Sequence, residues 1–145
     1  MIPGRHPPSG PSAKSPKYEG SEETVRYFAT LGRWVSAQAV MDYCQISADT
    51  LRGWREADQV LGAEFNDGNV YYPAAQFRDG RAAPGLSDVL AVLSRGYLGN
   101  ATRIAWFAGQ AYIGDERTRW DLLLEGRIGL LIEWAEQDVA RITGP

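Results

Sequence analysis

The sequence predicts a mainly α protein: a small winged helix-turn-helix with a β-hairpin, followed by a C-terminal helical bundle. Three observations point there. Two serine-opened helical patterns succeed one another across a tight turn between Ser36 and Ala57. Asp67-Gly68 then separates two strand-like runs, and beyond Pro84 the apolar residues recur at helical spacing. At 145 residues there is room for one ordinary domain or two very small ones. The expected division is a leader at 1–20, the winged helix-turn-helix at 21–78 and a helical domain at 79–145.

Residues 1–20 hold five of the eight prolines (Pro3, Pro7, Pro8, Pro11 and Pro16) and no apolar period, so they read as a disordered leader. Arg5, Lys14 and Lys17 against Glu19 also suit a basic arm that touches phosphate, although a plain linker needs less. From Ser21, Glu22 and Glu23 fit a first helical turn, and Val25, Phe28 and Ala29 form a short stripe stopped by Gly32. Ser36 is an N-cap for a helix carrying Val40, Tyr43 and Cys44, with Ile46 plugging the turn. Ser47 caps the next, from Ala48 to about Ala57, buried through Leu51 and Trp54.

The runs 60–65 and 69–72 flank the Asp67-Gly68 hairpin signal. Pro73 ends the second strand, residues 73–77 make a connecting turn or short helix, and Asp79-Gly80 is a further turn. Pro84 suits the first turn of a helix reaching about Arg95, with Leu86, Val89, Leu90 and Leu93 inside and Gly96 as stop. Asn100 is expected to cap a helix containing Ile104, Ala105, Phe107 and Ala108. Thr118 and Asp121 have capping-box spacing for a short helix over 119–124, closed by Gly126. In the last helix Ile128, Leu131, Ile132, Ala135 and Val139 define one stripe.

Composition narrows the chemistry. A formal net charge of -3, from 15 Lys+Arg against 18 Asp+Glu, excludes a generally polycationic nucleic-acid binder but not a local basic surface. Thirteen of the cations are arginines, whose planar forks recognise better than lysines, and seven of them lie between Arg81 and Arg141. The single histidine, His6, sits in the leader. The single cysteine, Cys44, reads as a small buried apolar residue rather than a reactive thiol. No intrachain disulfide is possible, and no Cys/His cluster has metal-ligand spacing. With no catalytic constellation, no metal site and no cofactor motif, the chain reads as a non-enzyme. No apolar stretch approaches the roughly 20 residues of a membrane span, and the first ten residues lack a signal-peptide core. A cytoplasmic protein with no membrane partner is expected.

As a DNA reader, the second helix of the pair would present Thr50, Arg52 and Arg55, with Ser47 and Asp49 at its start. Arginine bonds guanine bidentately and hydroxyls position phosphate. Residues 21–80 nevertheless carry five arginines against nine acids, so a lone monomer should bind duplex weakly and dimerisation would double the contacts. A helix-turn-helix kept only for packing or dimerisation stays open. Trp134 falls about 120° from the centre of the last helix's stripe, at about 100° per residue. There it either meets a partner or covers the rim of its own core. Trp106 and Trp120 leave the same choice, whereas Trp34 and Trp54 read as core of the first module.

Tyr72-Pro73-Ala74-Ala75-Gln76-Phe77, followed by Gly80, Pro84, Gly85, Leu86, Val89, Leu90 and Leu93, resembles a motif of Xre/MbcA/ParS-type antitoxins. The segment Gly114…Thr118-Arg119-Trp120-Asp121-Leu122-Leu123…Gly126 is similar to that family's Gly…Thr-Pro-Leu-Asp-Leu-Leu…Gly signature, and residues 128–135 resemble its final helix. The resemblance spans about residues 34–141. Arg119 and Trp120 stand where the family has Pro-Leu, and the run 105–109 replaces its Trp-Leu…Pro-Asn, so the exposed surface departs more than the fold.

The resemblance implies a C-terminal toxin-binding domain that blocks a RES-type, NAD-consuming toxin, with repression of its own operon through the helix-turn-helix. The implied blocking surface takes in residues 114–126, the last helix and the tail 141–145. Its partner-binding residues are Arg119, Trp120, Arg127, Trp134 and Arg141, with the three arginines as exposed cations for acidic groups in a toxin cleft. The leading expectation is therefore a type II antitoxin, a homodimer or a hetero-oligomer with its toxin, needing no cofactor. Operator DNA would be held by Ser47, Thr50, Arg52 and Arg55. The alternatives are a stand-alone helix-turn-helix regulator or excisionase-like DNA-binding protein, and a protein-interaction adaptor. Because the supposed DNA module is the most acidic region, a protein partner ranks ahead of DNA.

Overall fold

The computed structural model describes residues 31–96 and 98–144; the leader and the helix expected from Ser21 lie outside the described residues. The architecture is mainly α, with six α-helices among the described residues and small antiparallel β-structure. Two serines set the first pair of helices. Strand β1 (Trp34–Ser36) turns into α1 (Ala37–Cys44) because the Ser36 side chain accepts the Ala39 amide at 3.1 Å. Gln45 ends α1 in the left-handed region (φ 59°), which lets the Ile46 amide reach the Met41 carbonyl at 3.1 Å. Ser47 then caps α2 (Ala48–Glu56) by accepting the Thr50 amide. Asp58, also left-handed, directs the chain away from its end.

Strands β2 (Ala63–Glu64) and β3 (Val70–Pro73) pair antiparallel, with Ala63 opposite Tyr71 and Glu64 opposite Val70. The Phe65 carbonyl accepts the Gly68 amide and Gly68 has φ 83°, the type I turn with a left-handed glycine that suits a hairpin of this length. β1 takes the other edge of β3, Val35 opposite Tyr72, so the sheet order is β1-β3-β2. The strand expected over 60–65 is shorter because its first part is paired elsewhere. The Leu61 amide and carbonyl both bond the side-chain amide of Gln76, at 2.8 Å each.

A single 3-10 turn (Ala74–Gln76) leads into β4 (Phe77–Arg78) and β5 (Arg81–Ala82). Asp79 and Gly80 join them with φ of 58° and 76°, the two left-handed residues of a type I′ hairpin.

Four helices follow: α3 (Leu86–Ser94), α4 (Asn100–Ala108), α5 (Arg119–Leu124) and α6 (Ile128–Thr143). The capping box read at Thr118 and Asp121 is present in both halves, Thr118 accepting the Asp121 amide and Asp121 the Thr118 amide. Pro84 lies just outside α3 rather than in its first turn. Gly85 is the cap there, with φ 89° and so close to Ile128 that a Cβ would sit 2.5 Å from its Cδ1. Asn100 is the first residue of α4, not its cap. Its Oδ1 accepts from the Arg103 guanidinium at 2.5 Å and is not spent on a backbone amide.

Helix α3 packs on α6, whose Leu131, Ala135 and Val139 are buried at four-residue intervals; Ile128 and Ile132 flank them half-buried. A fully buried side chain of this size stabilises by about 1.5–3 kcal/mol. One apolar cluster (Val35, Val40, Leu51, Val60, Tyr72, Phe77) lies under α1 and α2. A second starts at Leu31, Trp34, Leu61 and Phe65 and continues through Leu86, Leu90, Phe107 and Leu131. Trp34, expected in the core of the first module, belongs to this second cluster, where it meets Phe65 edge-on at 5.1 Å. Side chains on both sides of residue 78 thus share one buried core.

Candidate nucleic-acid interface

Helix α2 has a fixed back and an open front. Leu51 is buried on its inner side and Trp54 is half-buried. Arg55 Nη1 donates to the Tyr72 hydroxyl at 2.7 Å, tying the helix to β3. Burial pushes the Tyr72 hydroxyl above its ordinary pKa, and the Arg55 guanidinium opposes that shift. On the front, Ser47, Asp49, Thr50, Arg52, Gly53 and Glu56 are all exposed. The Ser47 hydroxyl donates to Thr50 Oγ1 at 3.0 Å, and Arg52 pairs with Asp49 at 2.5 Å. An exposed pair of this kind contributes about 0–1 kcal/mol. A bidentate guanine contact is worth about 1–3 kcal/mol, so Arg52 can leave Asp49 for a base edge.

Of the four residues expected to read DNA, Ser47, Thr50 and Arg52 are exposed, Thr50 and Arg52 on opposite flanks of the outward side of α2, about 160° apart at about 100° per residue, with Asp49, Gly53 and Glu56 between them. Arg55 is the exception. Its guanidinium is drawn inward because a tyrosine hydroxyl in a buried setting needs a polar partner.

The β2–β3 hairpin has a stiff root, with Phe65 packed between Trp34 and Tyr71 at 5.1 and 4.6 Å. At its tip the Tyr71 hydroxyl donates to Asp67 Oδ2 at 2.7 Å and the Asn69 amide to Oδ1 at 2.9 Å. These bonds, the tyrosine's first, hold the Asp67 carboxyl below the usual carboxylate range.

The far end of α2 is anchored to the helical half. Asp58 receives both forks of Arg103, Nη1 at 3.1 Å and Nη2 at 3.2 Å, and Arg103 is only 6% exposed. Nη1 also donates to Ser94 Oγ at 2.9 Å. Sequence reasoning missed this cluster; its signal was an arginine in the apolar run that leads to Ile104 and Phe107. Cys44, expected to be buried, is half-buried, and that burial raises its thiol pKa, which gives no activation.

The residues expected to bind a partner divide. Trp120 is 3% exposed and stacked on Phe107 at 4.3 Å, so it is a core residue and not a contact on the surface. Arg119 is half-buried, not an exposed cation. It donates to the Trp106 carbonyl at 2.7 Å and its guanidinium lies 4.7 Å from the Trp106 ring centroid. Burial lowers its pKa. Trp106 is itself tied down by donating Nε1–H to Asp138. Arg127 and Arg141 are exposed, Arg141 paired with Asp138. Trp134 is half-buried and meets Tyr112 edge-on at 5.4 Å. Beside it the loop exposes Tyr112 and Ile113, the latter completely. Sequence reasoning missed these two, although an apolar pair outside any periodic run was the available signal.

Among the described residues no group of His, Cys, Asp and Glu is arranged to hold a metal ion, and no helix is long and apolar enough to cross a membrane. No family model and no curated protein matches the chain. Its fold is similar to the solution NMR structure of Rv2175c, with a TM-score of 0.64 at 14% identity, over 95% of this chain and 99% of that one. The likeness extends through both the helix pair and the helical half, and it is a likeness of fold.

Proposed function

We propose that the chain binds duplex DNA, with α1 and α2 as a helix-turn-helix, α2 as the recognition helix and the β2–β3 hairpin as its wing. The observation that carries this reading is the division of α2. Leu51 and Arg55 fix its back to the sheet, while Ser47, Thr50 and Arg52 are exposed along its outward side. A recognition helix needs both: a rigid mount and polar groups free to meet base edges and phosphates. The order β1, α1, α2, hairpin, with β1 closing a three-stranded sheet, is that of a winged helix-turn-helix. The test is anisotropy or gel retardation with duplexes from upstream of the chain's own reading frame. Binding should weaken steeply with salt, and Arg52→Ala should cost about 1–3 kcal/mol on the preferred sequence while relaxing preference at one base pair. Failure to retard any duplex at low salt overturns it.

The exposed Tyr112 and Ile113 beside Trp134 favour a second reading, in which the helical half engages a protein. A RES-type toxin, as in the antitoxins that the sequence resembles, is the partner proposed. A toxic frame adjoining the gene, neutralised on co-expression and released by Ile113→Asp, would support it. A neighbouring frame that is harmless would remove it.

A further inference from the structure

The β4–β5 hairpin has no part in the helix-turn-helix, yet it carries a charge arrangement that the fold does not explain. Arg78 and Arg81 are directly opposite across the antiparallel pair, closing the two-residue turn. Opposite residues project from the same face of a ribbon, from Cα atoms about 5 Å apart. Like charges in that position are destabilising. Both arginines are exposed, and neither forms an ion pair with an acid among the described residues. Asp79, between them in the turn, pairs with neither. A pair of repelling cations with no acid paired to either among the described residues suits a counterion from outside the chain.

The hairpin's place says which anion. A Cβ on Gly80 would lie 3.7 Å from the Tyr43 carbonyl oxygen, so the turn abuts the C-terminal end of α1. Gln45, Ile46 and Ser47, which lead into α2, follow directly. Four arginines are exposed between residues 31 and 82 (Arg33, Arg52, Arg78 and Arg81), and this pair supplies half of them. In so acidic a region, backbone attraction depends on them.

We propose that Arg78 and Arg81 form a phosphate clamp, gripping the backbone of the same duplex whose groove receives α2. The inference rests on the DNA-binding reading above and adds to it a sequence-independent contact. Guanidinium forks suit phosphate oxygens, and such contacts set register without reading bases.

The test uses the full chain and a fluorescein-labelled duplex about three helical turns long, titrated at several salt concentrations. Arg78→Ala/Arg81→Ala should reduce the slope of log K against log salt by about 2, near 0.9 for each lost contact. At ~0.1 M salt that is a loss on the order of fiftyfold, the same for preferred and scrambled duplexes. Arg78→Lys/Arg81→Lys, which keeps both charges, should retain most of the slope. Arg52→Ala should instead act on the preferred sequence. An unchanged slope in the double alanine variant, with Arg52→Ala still effective, overturns the clamp and leaves the helix-turn-helix reading standing. So does a loss that lysine does not restore, or one confined to the preferred sequence. A wild-type chain that binds no duplex overturns both.

Discussion

Gln76→Met is the sharpest probe of how this chain positions its hairpin. Gln76 is fully buried, and its side chain does the work of a neighbouring strand. Oε1 accepts the Leu61 amide at 2.8 Å, while Nε2 donates to the Leu61 carbonyl at 2.8 Å and to the Pro73 carbonyl at 3.1 Å. Methionine is similar in length and volume, so no large cavity opens. What changes is the pairing: the Leu61 amide and carbonyl lose their partner in a place that water does not reach. Each buried group left unsatisfied costs about 1–3 kcal/mol, and the apolar gain of methionine returns about 1 kcal/mol. The net loss is about 3 kcal/mol, a large part of the roughly 5–15 kcal/mol that holds a domain folded. Urea denaturation followed by circular dichroism should show the midpoint falling with the slope unchanged. A loss below about 1 kcal/mol would refute the idea that Gln76 substitutes for a strand.

Gly53→Ala tests the front of α2 in two directions at once. No atom lies within 4 Å of a Cβ built there, so alanine should stabilise the helix by about 0.5–1 kcal/mol and raise the melting temperature. If this face enters a groove, the same methyl weakens duplex binding; a more stable variant with unchanged affinity would place the contact elsewhere. For Asp67, whose pKa is depressed chiefly by Tyr71, the stabilising contribution is present above the unfolded carboxyl pKa and is lost as pH falls through the folded value. Tyr71→Phe should lift that carboxyl towards its ordinary pKa in an NMR titration, and an unmoved value would assign the shift to the Asn69 amide instead.

Local chemistry was legible in the sequence, and long-range chemistry was not. Ser36, Ser47 and the Thr118–Asp121 box were readable because a cap acts over three residues. The truncated strand at Leu61 was not, since its partner is a side chain fifteen residues on. Arg55, Arg119 and Trp120 were placed outside and lie partly or wholly inside. A helix of six residues, such as α5, is too short for periodicity to fix which face turns inward. The motif behind the antitoxin resemblance also has a local explanation. Tyr72 receives Arg55, Pro73 precedes the 3-10 turn, Gln76 holds Leu61, and Phe77 fills the core. These residues describe how the chain turns from β3 to β4. A motif made of such positions therefore transmits architecture more faithfully than it transmits the identity of a partner.

The same distinction bears on charge. A sum over residues 21–80 counts Asp58 among the acids that repel DNA, but the guanidinium that neutralises it, Arg103, lies outside that window. Asp49 is paired with Arg52, but both lie inside that window and the sum already counts them, while Asp67, hydrogen-bonded to Tyr71 and the Asn69 amide, keeps its charge. Folding thus makes the region less negative than its sequence total only at Asp58, where it brings in a cation from the helical half. The number of phosphates engaged, read from the salt dependence, measures the quantity that the sum was meant to estimate.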